Sequence, residues 1–294
     1  MAWSLLELFR KPKETLMFGL IRSGMATAMH ELSVVSNNIA NAGSTAFKKS
    51  DVSFSDLYSS SSPYSVSRTA VGQGSNVYLT RMSDAQGGIM DRGGALNLAI
   101  VGSGYFTVSP PDASGGPSGG LYFSRNGEFS IDKDGFIRAA DQSFIMGMPA
   151  VDGIIPSTVA ASSLTRIAVP FSIVKDELPV PMSNLEIGND GSVSATYGPD
   201  DVRQIGRIGM AIFPNQSGLK NMGGGTFSQT KDSGDAILGS AGDIGYGTLQ
   251  SGAVETSNVD ITKEMTVMMR SQQQFNGAAR LLQTNADMVE KLTR

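Results

Sequence analysis

Few residues in this chain could carry chemistry. His30 is the one histidine and cysteine is absent. That removes disulfides, thiolate nucleophiles, cysteine-bearing zinc sites and any paired-histidine metal site. A Ser-His-Asp triad would need His30, which falls between Ala28 and Leu32, off the apolar seam of a heptad-patterned stretch. A solvated helical histidine is expected there. Asp132-Lys-Asp-Gly135 resembles the start of a calcium loop, but its twelfth position is Ser143, where a bidentate glutamate belongs. A turn is expected instead. Gly102-Ser-Gly104 lacks the third glycine and the following helix of a dinucleotide loop, and Asn215-Gln-Ser217 matches a glycosylation sequon that is frequent by chance. Spacing places no pair of carboxylates. No catalytic residue, cofactor or metal site is expected, and the chain reads as a structural or binding protein rather than an enzyme.

Composition agrees. Charged residues are 17% of the chain and glycine contributes 35 of 294 residues, while an apolar fraction of 40% is enough for a core. The net charge of −4 hides an uneven distribution: residues 1–50 carry +3, residues 251–294 carry 0, and the middle is acidic. No basic stripe supports nucleic-acid binding. No run reaches the ~18–20 apolar residues that span a bilayer. The apolar start precedes Arg10, Lys11 and Lys13 rather than following a basic segment, the reverse of a secretory signal. Neither a Sec-type leader nor membrane insertion is expected.

The elements that would position any functional surface lie at the two ends. Phe18, Ile21, Met25, Ala28, Leu32, Val35, Ile39 and Ala42 step alternately by three and four, a heptad seam uninterrupted by proline. A helix over 17–42 is predicted, with Asn41 and Gly43 as stop signals. Ile261, Met265, Met268, Gln272, Phe275, Ala279, Leu282, Ala286 and Val289 repeat the pattern with one polar break, predicting a helix over 259–292 with Asn258 or Asp260 as N-cap. The two seams want partners. They can pair with each other as a plain two-helix cap on a β domain, or also dock neighbouring copies.

Between about 64 and 250 the periodicity shortens and turn signals multiply. A hairpin is expected around Gly102-Ser-Gly104, with turns at Asn126-Gly127, Asp134-Gly135 and Asn189-Asp-Gly191, a flexible loop over 115–120 and a loop or hinge at Ser59–Pro63. The predicted fold is α+β: terminal heptad helices paired in a coiled-coil-like domain around an all-β middle. The expected divisions are a flexible N-terminal extension (1–16), an N-terminal helix and linker (17–63), a β-rich outer region (64–250) and a C-terminal helix (251–294).

Several blocks resemble the bacterial flagellar axial family, the rod and hook subunits. Leu32-Ser-Val-Val-Ser-Asn-Asn-Ile-Ala-Asn41 and Ser44-Thr-Ala-Phe-Lys48 resemble the signature "SNNIANxxTxGFK", with Ser36, Asn37, Asn38, Ile39, Ala40 and Asn41 at its centre. Ala46 stands where the family has glycine, so a different turn is expected there. Leu96–Phe106 resembles "LDLAIxGxGFF" and Phe123–Phe129 resembles "YTRxGxF". Gly247–Asp260 resembles "GxLExSNVD", ending on Ser257, Asn258, Val259 and Asp260. Ser53–Leu57 and Ser257-Asn-Val-Asp-Ile261 look most like the hook subunit. The length, short for a hook, is the argument for a rod.

The resemblance implies a homopolymer of many copies, a hollow tube with the helices inside around an export channel and the β region outside. The implied function is the hook, the flexible joint that transmits torque from rod to filament. The alternatives are a rigid basal-body rod subunit and, outside the family, a β-domain binding module or polysaccharide-active enzyme. Implied partners are the neighbouring rod, hook-cap and hook–filament junction proteins and the flagellar type III export apparatus. The implied place is the basal body and hook, outside the cytoplasmic membrane. The expected self-assembly seam is Phe18, Ile21, Met25, Leu32, Val35 and Ile39 with Ile261, Met265, Met268, Phe275, Leu282 and Val289.

Overall fold

A computed structural model describes residues 3–58, 72–112, 116–150, 163–175, 178–199 and 201–293. The expected Ser59–Pro63 loop lies outside these residues. The fold is α+β and divides into two units assembled from segments distant in sequence. Unit 1 comprises Met1–Ala42, Lys49–Ser83 and Val259–Arg294; unit 2 comprises Gly43–Lys48 and Asp84–Asn258.

Unit 1 contains helix α1 (Trp3–Ala40), helix α2 (Ile261–Thr293) and an antiparallel hairpin of Ser50–Tyr58 with Gly72–Met82. Helix α1 begins at Trp3, so most of the expected flexible extension is helical, with Pro12 inside it. It ends where Asn41 turns back on it, its backbone N–H and its Nδ2 both donating to the Asn37 carbonyl at 3.1 and 2.9 Å. Of the two candidate caps for α2, Asp260 is the one used: its Oδ1 accepts from the Thr262 and Lys263 amides at 3.0 and 3.2 Å. The hairpin, which sequence reading placed in linker and middle, groups with the helices.

Unit 2 is built on a thirteen-stranded antiparallel sheet. Its main path runs through Ser172–Lys175, Leu178–Ile187, Ser192–Tyr197, Asp201–Ile212, Phe144–Pro149, Tyr105–Ser109, Tyr122–Ser124, Thr226–Ser228 and Lys220–Gly223. Alternation in Ser192–Tyr197 buries Val193, Ala195 and Tyr197. They join Phe106, Ile145, Ile208 and Met210 in one core. Within it Phe106 and Phe129 meet edge to face at 5.0 Å, and elsewhere in unit 2 Phe123 and Phe213 do so at 4.7 Å.

Two expected turns close hairpins as read. Gly135 links Phe129–Ile131 to Ile137–Ala139, and Gly191 links Leu178–Ile187 to Ser192–Tyr197; both adopt positive φ. The stretch Gly102-Ser-Gly104 does not make a hairpin. Leu98–Val101 pairs with Thr248–Ser251 instead, while Tyr105–Ser109 enters the large sheet. Two glycines at positive φ turn the chain out of one sheet and into the other, and local sequence does not show which partner each strand takes.

Gly127 is fixed by close approach: a Cβ there would lie 1.6 Å from the Leu98 carbonyl oxygen, and the Leu98 N–H donates to the Gly127 carbonyl at 2.9 Å in the same crossing. Gly127→Ala should therefore destabilise the protein by more than about 3 kcal/mol, because backbone rather than a movable side chain must give way. Urea unfolding checks this; a variant within 1 kcal/mol of wild type, on the order of ordinary surface changes, refutes it.

Candidate functional site

The features that bear on function are the surfaces of the chain and what holds them. In unit 1 the two helices run antiparallel and meet through polar rungs. Glu31, nearly buried on α1, accepts from Arg270 at 2.9 Å and from the Ser271 hydroxyl at 2.8 Å. One heptad on, buried Asn38 donates to Glu264 at 3.0 Å and to the Ser50 carbonyl, while its Oδ1 accepts from the Ser50 amide. Asn38 therefore ties both helices to the hairpin. His30, exposed on α1, places Nε2 3.0 Å from the Thr80 hydroxyl of the hairpin.

These rungs decide which way the helices face. Along α1 the seam is inward: Ala28 and Val35 are buried, and Phe18, Ile21, Met25, Leu32 and Ile39 are half-buried. Along α2 the inward residues are Glu264, Met268, Ser271, Phe275, Ala278, Leu282, Asn285 and Val289. Met268, Phe275, Leu282 and Val289 belong to the sequence-read seam. Of its other members Ala279 is half-buried, while Ile261, Met265, Gln272 and Ala286 turn outward, Ile261 and Met265 being 50% and 54% exposed. Polar Glu264 and Ser271 take the inward places because α1 offers them partners, which an apolar pattern cannot reveal.

Exposed apolar side chains stand along both helices, interspersed on α2 with exposed polar ones such as Arg270, Gln273, Arg280 and Thr284. Met265, Met269, Leu281 and Met288 on α2 and Met17, Leu20 and Met29 on α1 are each more than two-fifths exposed. Methionine at such exposed positions packs adaptably against a neighbour.

Unit 2 contains the strongest electrostatic feature among the described residues. The Glu255 side chain is wholly buried. It accepts from Lys48 Nζ at 2.6 Å, Arg125 at 3.0 Å and the Gly87 amide at 2.9 Å. Lys48 also donates to the Ala85 carbonyl and Arg125 to the Gly102 carbonyl, at 2.9 and 2.8 Å. Burial alone would raise the Glu255 carboxyl, but Arg125 and Lys48 outweigh it and hold it below the ordinary carboxylate value. Burial draws the Lys48 ammonium below the usual lysine value against the pull of Glu255, since two cations share one carboxylate. Ala46, beside Lys48, is buried at φ +54 and donates its N–H to the Glu255 carbonyl at 2.8 Å. The left-handed turn natural to glycine is thus kept by alanine, at a cost of about 1–2 kcal/mol.

The signature blocks divide between these features. Asn38 and Asn41 act as described; Ser36, Asn37 and Ala40 face outward and Ile39 is half-buried. Asn258 bonds the Ala85 carbonyl through Nδ2 at 2.9 Å and Asp260 caps α2. Ser257 and Val259 are half-buried. Lys48, Arg125 and Glu255 come from three different blocks. Sequence reading did not connect them, because they are far apart in the chain and no periodicity links them; their presence in separate signature blocks was the available signal. Among the described residues no group of three or more metal-ligating side chains gathers, and no helix is long and apolar enough to cross a membrane.

Comparison with known proteins bears on the whole chain. Residues 99–195 match the family model described as flagellar hook protein FlgE/F/G D1 domain, and residues 250–294 match flagellar basal body rod FlgEFG protein C-terminal. The flagellar basal-body rod protein FlgG of Bacillus subtilis is 29% identical over 280 residues, 92% of this chain and 95% of its own. The FlgG of Agrobacterium fabrum is 28% identical over 286 residues, 92% and 96% respectively. The flagellar hook protein FlgE of Escherichia coli is 31% identical over 150 residues, 49% of this chain and 37% of its own.

The buried carboxylate yields a pH test. Its folded value lies below the unfolded ~4.3, so its contribution is complete above that value and lost as pH falls through the lowered one. Glu255→Gln should cost about 3–5 kcal/mol at neutral pH, because Lys48 and Arg125 lose their counter-ion. The difference between wild type and variant, from urea unfolding, should shrink as pH falls from about 5 to about 2. A difference independent of pH would remove Glu255 from its assigned role.

Proposed function

We propose that this chain, which belongs to the bacterial flagellar axial protein family of rod and hook subunits, is a basal-body rod subunit. As a flagellar axial protein it is a structural component of the basal body and hook, outside the cytoplasmic membrane. The observation that carries the finer assignment is coverage. Rod proteins match nearly end to end, whereas the hook protein matches over about half of this chain and little more than a third of itself. This favours the rod over the hook reading drawn from Ser53–Leu57 and Ser257–Ile261, because short blocks shared within the family weigh less than the extent of the match.

On this reading many copies assemble into a hollow helical shaft through a heterologous contact that repeats without closing. The paired helices of unit 1 supply the inner contact. Their inward face joins α1 to α2, and exposed methionine and leucine side chains of each pair meet the next copy in a coiled-coil-like packing. Unit 2 forms the outer layer. The shaft transmits torque and must resist twisting, which a polymer achieves by repeating the same buried contact in every subunit. Its neighbours are other rod and hook subunits, and it reaches them uncleaved through the flagellar type III export apparatus, along the channel that the helices line.

Two measurements test this. Immunogold labelling of purified hook–basal bodies should mark the rod; label along the hook would overturn the assignment. Leu282 is half-buried on the inward face of α2, and its neighbour Gln283 is exposed. Leu282→Asp loses a leucine contact worth roughly 2–5 kcal/mol and brings in an unpaired charge. It should abolish polymer formation, while Gln283→Asp should assemble normally. Equal assembly of the two variants, judged by sedimentation, would mean that the helix pair does not carry the contact.

A further inference from the structure

Unit 2 continues into unit 1 at four peptide bonds, 42/43, 48/49, 83/84 and 258/259. The three segments of unit 2 at these exits are laced to one another within unit 2. Residues 43–48 are tied to 255–258 by Ala46 N–H to the Glu255 carbonyl, by the Lys48–Glu255 ion pair, and by the Asn258 amide donating to the Phe47 carbonyl at 3.2 Å. Residues 43–48 are tied to 84–88 by Lys48 Nζ on the Ala85 carbonyl. Residues 84–88 are tied to 255–258 by Gly87 N–H to the Glu255 carboxylate, by the Thr256 amide donating to the Gly88 carbonyl at 2.7 Å, and by Asn258 Nδ2 on the Ala85 carbonyl. Each pair of segments is bonded, so the lacing closes on itself. It is packed without slack: a Cβ on Gly87 would lie 1.9 Å from the Thr256 carbonyl oxygen. Arg125 bonds Glu255 on one side and the Gly102 carbonyl on the other, fastening the lacing to the sheet region.

We propose that this lacing is a mechanical clasp: it makes the exits of unit 2 yield together, so that force entering by one segment is shared by all three, with Glu255 as the positioning residue. Its use in the cell rests on the shaft reading given above, because only a subunit under torque needs it. The physical logic does not. A strand loaded alone peels one hydrogen bond at a time, whereas three segments bonded to one buried carboxylate must break several bonds at once, two of them to charged groups in a water-excluded place where they are strongest.

The test is single-molecule pulling on the soluble full-length chain, held at its two ends. Force then enters unit 2 at Gly43 and leaves at Asn258. Wild type should show a distinct late rupture freeing residues 43–258, roughly 700 Å of contour. Glu255→Gln and Lys48→Met should speed that rupture at fixed force by on the order of a hundredfold, the equivalent of a broken buried ion pair. Leu185→Ala, a truncation in the sheet core, is the control for general loss of stability: it should lower resistance to urea while leaving the rupture rate much closer to wild type. Should the charge variants not fold, Asn258→Ala decides, since it removes the bond to Ala85 and leaves the ion cluster intact; faster rupture upholds the clasp. Unchanged rupture in the clasp variants, or equal acceleration by Leu185→Ala, overturns it. No polymer is involved, so this outcome is independent of the labelling and assembly tests of the rod reading.

Discussion

A carboxylate cannot be taken out of water unless cations and amides replace the water, and Glu255 obtains all its replacements from other parts of the chain. Lys48 arrives from the segment after α1, Gly87 from the segment after the hairpin, and Arg125 from the sheet region. Each must be in place before burial of Glu255 is tolerable, so the charge requirement fixes three chain paths at once. Such clusters are weak evidence for net stability, because desolvation offsets much of the attraction. Their effect is on arrangement: an apolar side chain at position 255 would accept many neighbours, whereas a carboxylate accepts only donors. The left-handed backbone at Ala46 belongs to the same constraint, since it directs the Ala46 amide at the Glu255 carbonyl and delivers Lys48 to the side chain.

Unit 1 solves a different problem. Two long helices with apolar seams could slide past each other by a heptad at little cost, because every heptad offers similar apolar contacts. Glu31 with Arg270 and Ser271, and Asn38 with Glu264, remove that degeneracy, since a shift would strand buried polar groups. Asn38 also takes both backbone groups of Ser50, which sets the hairpin by the same residue. Specificity inside the pair is therefore polar. The exposed methionines of the two helices, set among polar side chains, suit contacts that must adapt to repeated neighbours.

What could be read from sequence follows from the range of each signal. The helices were legible because their periodicity is local; their direction was legible on α1, where the inward residues are mostly apolar. On α2 the reading was one residue out at alternate positions, because Glu264, Ser271 and Asn285 face inward and look like surface residues to any hydropathy argument. Turns at Gly135 and Gly191 were legible from dipeptides, but strand partners were not. The Leu98–Val101 strand pairs with Thr248–Ser251 across most of unit 2, and nothing in either segment names the other. The ion cluster was illegible for the same reason, although each of its members stood in a conspicuous block.

The division of the chain has a consequence for the order in which the molecule can complete itself. Unit 2 is nested inside unit 1: everything it needs lies between residues 43 and 258, while unit 1 requires both the first and the last stretches of the chain. If the intervening chain were loose, bringing α2 back to α1 would close a loop of more than two hundred residues, an entropic cost of about 5 kcal/mol. Once unit 2 has formed, Phe47 and Asn258 are hydrogen-bonded neighbours and that cost has already been met. Unit 2 thus acts as a template that shortens the search for unit 1. A chain that loses its last thirty or so residues can finish unit 2 but lacks α2 for the helix pair, so incomplete molecules are marked by the absence of the same surface that lets complete ones associate.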